Sequence, residues 1–229
     1  MNRSLLVLPL LAALSACGSS SPVAVAPPPA VTSPAPAVLS PTRSVTVEQA
    51  RLATTTVVRH AYPVRGCRSS YGHYHHDYPA SDIFAARGCT VVAPVTGRVD
   101  EVATVDRWRS STNLGADRGG ISFSIVGDDG VRYYGSHLLR VSVRVGQRVS
   151  AGAVIGAVGN TGSARGISPH LHFGLSWPTR AGIWWVRRGE VYPWPYLDSW
   201  KLGGNRQPAV AVAAEHARQG TVPRCRVDC

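Results

Sequence analysis

Between residues 58 and 177, apolar and polar positions alternate in short runs broken by glycine, proline and aspartate. "TVVAPVTGRVDEVATV" (90–105) is valine-rich and punctuated by Pro94 and Gly97. "GGISFSIVGDDGVRYYGSHLLRV" (119–141) holds two alternating segments around Asp129-Gly130, and "VSVRVGQRVSAGAVIGAVGNTGS" (141–163) breaks valine runs with glycine turns. A period of two belongs to a strand with one buried face, and Asp-Gly between two such runs signals a hairpin. No helical period of useful length occurs in 60–180. The expected fold class is therefore all-β, a compact antiparallel sheet or sandwich. After Trp177, the aromatic "WWVRRGEVYPWPYLDSW" (184–200) is expected to pack over the sheet or line a groove, and 202–229 reads as a loosely held tail.

The first part of the chain has a different texture. "MNRSLLVLPLLAALSAC" joins a positive Arg3 to an apolar run from Leu5 to Leu14, too short to span a bilayer as a helix. Its end, Leu-Ser-Ala-Cys17, resembles the lipobox of bacterial lipoprotein signals, which implies cleavage of residues 1–16 and diacylation of Cys17. Residues 18–43 are almost entirely Pro, Ala, Ser, Val and Thr with one charge, and cannot build a core. As polyproline II at ~3.1 Å per residue, such a linker reaches on the order of 80 Å. The expected organisation is a signal at 1–16, a lipid-anchored linker at 17–43, the β domain at 44–201 and the tail at 202–229, with Ser44 or Thr46 able to cap a short helix over "VEQARLATT".

Export changes how cysteine and charge are read. Without Cys17 four cysteines remain, an even number in a compartment that permits disulfides; Cys67 with Cys89 and Cys225 with Cys229 is the preferred pairing of three. The net charge of +11 is nearly all arginine, Lys201 being the single lysine. Outside the cytoplasm that charge favours anionic wall polymers or lipid head groups over nucleic acid.

Six of the eight histidines fall into three segments: His73, His75 and His76 in "YGHYHHDYPASDIF", His137 in "YYGSHLLRV", and His170 and His172 in "SPHLHFGLSW". On a strand His170 and His172 share a face while Leu171 and Phe173 turn to the other. An isolated His-x-His is more often a solvated edge. Here, however, three segments supply His plus Asp82, His, and His-x-His. Hydrolytic zinc chemistry needs about three protein ligands, an open position, a general base and a group for the oxyanion. Chemistry alone lets both His170 and His172 reach one metal.

"DIFAARGCTVVAPVTGRV", "YYGSHL", "VRVGQRVSAGAVIGAVGNTG" and "SPHLHFGLSW", in this order, resemble the lysostaphin/LytM-type zinc metallopeptidases over about residues 58–177. The resemblance implies a compact antiparallel β domain with Zn(2+) in a groove on one face, and hydrolysis of peptide cross-links in bacterial peptidoglycan. Carried onto this chain, it implies His76, Asp82 and His172 as metal ligands and His137 and His170 as catalytic residues. The family's first motif sets histidine four positions before the aspartate, where this chain has Tyr78. The form His76-Asp-Tyr-Pro-Ala-Ser-Asp82 lengthens that spacing by two, with the Pro79 turn absorbing the difference, and leaves His75 as a competitor for His76. Asp77 is expected to be solvated and His73 to sit on the groove rim. Tyr133 is expected near the site and Tyr134 near the core, and the loop 105–120 with Trp108 and Arg109 reads either as the wall of a groove or as a flexible connection only. The expected enzyme is anchored at the cell envelope through Cys17, with peptidoglycan peptides as partner. The alternative is a catalytically silent LytM-like module that binds wall or regulates another hydrolase. Which peptide bond is cut is not legible in the sequence.

Overall fold

The computed structural model describes residues 57–226. The signal sequence, Cys17, the linker and the helix expected over 47–55 lie outside these residues, as does Cys229.

Eleven short strands form two antiparallel sheets among the described residues. The larger sheet has the order β2 (Ser69–Ser70), β3 (Ser81–Ala85), β11 (His170–Ser176), β7 (Arg132–Ser136), β6 (Ser122–Gly127), β5 (Gly97–Ala103), β9 (Arg148–Val149). The smaller has β1 (Val64–Arg65), β4 (Thr90–Val92), β10 (Val154–Val158), β8 (Leu138–Val141). The all-β reading from alternation holds, and the Asp129-Gly130 turn does join β6 to β7. Three short helices follow: α1 (Trp184–Arg187), α2 (Trp194–Lys201) and α3 (Ala209–Gln219).

Register fixes which side chains share a face. On the central strand β11, His172 lies opposite Asp82 of β3 and Ser136 of β7, and Gly174 opposite Tyr134. The alternate positions Leu171, Phe173 and Leu175 are fully buried with Ile83, Phe123 and Tyr133 in the core. Burying an aliphatic or aromatic side chain of this kind stabilises by about 1.5–3 kcal/mol, so a one-residue slip, which exchanges the two faces, is strongly disfavoured.

Cys67 and Cys89 form a disulfide, as expected. The bridge closes a 22-residue separation around the histidine-rich segment, which in the chain-entropy model contributes roughly 3 kcal/mol. Cys225 is disulfide-bonded too; the expected Cys225–Cys229 pairing involves a residue outside those described.

The segment after 201 is not loosely held. Pro208 precedes α3, whose Val212 is buried in the core, and His216 stacks on Trp177 at 4.9 Å. The indole N–H groups of Trp177 and Trp185 donate to the carbonyls of Thr221 and Pro223. The alanine- and valine-rich composition that read as a tail is that of a helix with a small-residue docking face.

Candidate active site

His170 and His172 stand on one face of β11, both buried. Strand pairing brings Asp82 beside His172, and His137 joins them from the junction of β7 and β8. Ser136 already faces this side, so an extended residue 137 would point into the core. His137 instead has φ of 64°, in the left-handed region that non-glycine residues seldom occupy. This turn carries the imidazole to the groove, where its ring lies 4.9 Å from that of His170 and 6.0 Å from that of His172. Backbone strain at such a point marks a functional constraint.

The hydrogen bonds assign the ring nitrogens. His137 Nδ1 lies 2.8 Å from the Thr161 carbonyl, and His170 Nδ1 lies 2.8 Å from the Ser168 carbonyl. A carbonyl only accepts, so in each ring Nδ1 carries the hydrogen and Nε2 is the basic nitrogen. His172 is wired the opposite way: Nε2 donates to the Arg188 carbonyl at 2.9 Å, leaving the Nδ1 lone pair 3.0 Å from Asp82 Oδ1. Two lone pairs at that separation need a shared proton or cation. Gly174 is required for this arrangement, because a Cβ there would meet the Arg188 carbonyl oxygen at 2.1 Å.

The first histidine segment completes the cluster. The His75 side chain is 5% exposed, with Nε2 3.8 Å from Asp82 Oδ2 and its ring 5.2 Å from that of His172. His76 stacks outside His75 at 4.1 Å, with its side chain 73% exposed and paired to Asp77. The sequence singled out His76, whereas the fold turns His75 toward Asp82; ligand atoms of His75, His76 and Asp82 all lie within 4.8 Å of one another. The Pro79 turn presents this pair, and Tyr78 packs 4.5 Å from the His75 ring.

Electrostatics favour neutral imidazoles beside a carboxylate. Burial, reinforced by the nearby His172, lowers the His75 pKa to about 3. Burial and the neighbouring His172 and His170 likewise lower His137 to about 3. Burial opposes ionisation of Asp82, but its contact with His172 and the surrounding imidazoles outweighs that and holds its pKa below the usual carboxylate range. Neutral imidazole nitrogens and an ionised carboxylate are the donor set of a divalent zinc site.

A groove of about 300 Å³ opens over this cluster, lined among others by His137, His172, Ser136, Tyr134, Asn113 and Arg187. Tyr134, not Tyr133, faces it: the Tyr134 ring is 6.1 Å from His172, while Tyr133 is fully buried against His60 and Asp129. Counting alternation back from His137 gives the opposite assignment, and the left-handed turn at His137 is what shifts the parity. The 105–120 loop does wall the groove, through Asn113, Gly115, Ala116 and Arg118. Trp108 braces Asn113 from behind, donating Nε1–H to its Oδ1 at 3.1 Å. His73 stacks on Trp194 at 4.2 Å, beside Asp198, and is not among the groove-lining residues; Asp77 is. The Arg188 carbonyl was beyond sequence reasoning, since a backbone acceptor leaves no residue-type signal.

Residues 76–182 match Peptidase family M23, and the domain they belong to is an M23 peptidase domain. It is homologous to the glycyl-glycine endopeptidase ALE-1 of Staphylococcus capitis, 35% identical over 125 residues that make up 54% of this chain and 30% of that protein. Lysostaphin of Staphylococcus simulans is 31% identical over 145 residues, 62% of this chain and 26% of that one. The chain thus spans under a third of the length of these relatives. Among solved structures, the catalytic domain of lysostaphin from Staphylococcus simulans aligns with a TM-score of 0.45 at 26% identity, covering 57% of this chain and 93% of that one.

Proposed function

We propose that this protein is a zinc-dependent endopeptidase that hydrolyses peptide cross-links of bacterial cell-wall peptidoglycan. The observation that carries the reading is the opposite wiring of the three inner histidines at the floor of one groove. His172 offers Nδ1 toward Asp82, while His137 and His170 keep Nδ1 on backbone carbonyls and leave Nε2 basic. The match of residues 76–182 to Peptidase family M23 supports the same chemistry.

Asp82, His172 and one of the His75–His76 pair would hold the metal, His75 being the member that faces Asp82. Zinc bound there supplies Lewis acidity that makes water a nucleophile near neutral pH and polarises a carbonyl. Three protein ligands are the complement expected of a hydrolytic zinc site. The Arg188 carbonyl, by taking the Nε2 hydrogen of His172, fixes that ring's tautomer and orientation, the usual task of a ligand's outer partner. His137 and His170 move the protons. Nε2 of a neutral ring accepts a proton from attacking water, and the imidazolium formed can return it to the leaving amine or hold the developing oxyanion. Burial keeps these rings dry, which strengthens both roles.

Zinc content and release of soluble muropeptides from purified wall test the reading. His172→Ala and Asp82→Ala should lose zinc and activity together. His137→Ala and His170→Ala should keep zinc yet lose activity by about 10²–10⁴-fold, the range of general acid–base catalysis. His75→Ala should lose more zinc than His76→Ala. Retained zinc in His172→Ala, or wall cleavage by all of these variants, overturns the proposal. Acylation of Cys17 would hold the domain at the envelope; its support is Leu-Ser-Ala-Cys after the apolar run. A membrane-fraction protein with unmodified Cys17 overturns that part.

A further inference from the structure

The candidate metal site is held unequally on its two sides. Asp82 and His172 are fixed by the pairing of β3 with β11, where they lie opposite one another. His75 and His76 come instead from residues 71–79, between β2 and β3, which make no backbone–backbone hydrogen bond among the described residues. Behind this turn a cleft of about 220 Å³ opens, lined among others by Asp77, Tyr78, Pro79, Trp185 and Glu190. The turn therefore has space on that side rather than packed neighbours. What it does meet is the corner that ends α1. The Arg188 guanidinium lies 3.9 Å over the Tyr78 ring and 5.2 Å over that of Trp184. Gly189 follows, and a Cβ there would come within 2.2 Å of the Pro79 carbonyl oxygen. The carbonyl of the same Arg188 takes the Nε2 hydrogen of His172. One corner thus touches both halves of the donor set.

Tyr78 connects that corner to the first histidine segment. Its ring lies 4.5 Å from that of His75, making a contact series from Arg188 through Tyr78 to the imidazole. Stacking on a planar guanidinium fixes how a ring is placed. A ring so placed limits where the neighbouring imidazole can go, and a displaced ligand nitrogen cannot keep a zinc bond of about 2.0–2.1 Å. Resting on the zinc reading above, we infer that Tyr78 is a positioning residue that sets His75 for the metal, with Arg188 as its clamp. In this role neither side chain bonds the metal. Tyr78 stands four positions before Asp82, where the family's first motif sets histidine. In this chain that position supports a ligand instead of being one.

The Kd for zinc, titrated into the full-length chain after chelation, reads this role without turnover. Tyr78→Leu should weaken zinc by about 10–100-fold, the range for losing a ligand's outer partner. Tyr78→Phe keeps the ring face and should stay within about threefold of wild type. Arg188→Met removes the guanidinium but leaves the carbonyl on His172. It should weaken zinc in the same way and add little to Tyr78→Leu, as coupled neighbours do. In a His75→Ala background Tyr78→Leu should change nothing further, because its effect runs through His75. The d–d absorption of bound Co(2+) should shift in Tyr78→Leu and not in Tyr78→Phe. Wild-type zinc affinity in Tyr78→Leu, or a loss that persists in the His75→Ala background, overturns the inference while leaving a zinc site. If the metal-free urea midpoint shows that Tyr78→Leu does not fold, Arg188→Met decides on the same terms. A wild type that takes up no zinc overturns the zinc reading, and this inference with it.

Discussion

Two buried clusters of this domain use the same residue types and end in opposite conditions. In one, His60 is enclosed, its Nε2 2.8 Å from the Tyr133 hydroxyl and 3.3 Å from Asp129 Oδ2, its Nδ1 3.1 Å from Asn205 Oδ1. The ring stacks on Trp200 at 4.9 Å, and the Tyr133 hydroxyl donates to Asp129. Both ring nitrogens face oxygen atoms, and the hydrogen bonds close on one another. In the other, His137, His170 and His172 each tie one nitrogen to a backbone carbonyl and present the other to Asp82, to one another or to the groove. The first cluster joins the start of the domain to its C-terminal helices and ends there. The second stops short of saturation on its open side, where the proposed metal and substrate would sit. Buried histidine beside aspartate is thus no mark of catalysis by itself; what separates the two is whether the polar atoms are used up within the protein.

Substituting one histidine from each cluster gives the widest contrast. His60→Ala should leave Asp129 and Asn205 buried without their partner and open a gap against Trp200. That should destabilise the domain by about 1–3 kcal/mol for the unsatisfied polar groups, with a further cost for the gap left against Trp200. Its kcat at a temperature where it stays folded should remain within about twofold of wild type, since the cluster lies outside the groove. His170→Ala should do the reverse, with the activity loss given above and a stability change of only about 1 kcal/mol, one hydrogen bond to Ser168 being removed. Urea unfolding and wall hydrolysis on both variants check the contrast. A stable His60→Ala, or one that is folded and inactive, breaks it.

Acid should act on the open cluster first. His75 and His137 have folded pKa values of about 3, against about 6.5 in an unfolded chain. Between those values the unfolded state binds more protons, so stability rises with pH there. For the metal-free protein the contribution is complete above about pH 6.5 and is lost progressively as pH falls toward 3. His137→Gln should flatten that dependence, measured as the urea midpoint from pH 7 to pH 4. An unchanged slope would mean that His137 is not held neutral.

Much of the β architecture and of the site was legible because alternation and motif order survive in the sequence. Leu171 and Phe173 read as turned to the face opposite the histidines and are buried; Asp82, His170 and His172 read as one constellation and meet across β3 and β11. What failed did so where geometry departs from composition. Tyr133 and Tyr134 exchanged places because one left-handed residue breaks the period of two. The choice between His75 and His76, open in the sequence, depends on how a proline turn is folded. His60, which stood apart in the sequence, is fully enclosed by residues 69 to 145 positions away. Long-range closure of that kind has no local signature.

The smallest effect expected belongs to the wall of the open cluster, at Asp106. Its carboxylate accepts from the Gly162 N–H at 3.0 Å, the Trp108 N–H at 3.2 Å and Arg165 Nε at 2.9 Å. It thereby pins the 105–120 loop to the turn before β11, and through Trp108 it fixes Asn113 in the groove. Burial opposes its ionisation, but the Gly162 amide, Arg165 and the Trp108 amide outweigh it and lower its pKa. A depressed carboxylate contributes stability above its unfolded value near 4, and that contribution disappears as pH falls through the folded pKa. Arg165 is half exposed, so solvent screens the ionic part and the amide bonds carry most of the tether. Asp106→Asn keeps the shape and sets an amide among these donors; it should cost about 1 kcal/mol of stability. Because the loop shapes the groove without touching the reacting atoms, KM should rise a few-fold with kcat held. A fall in kcat with KM unchanged would mean that the loop acts on the chemistry, and the wall would then belong with His137 and His170 rather than with the binding surface.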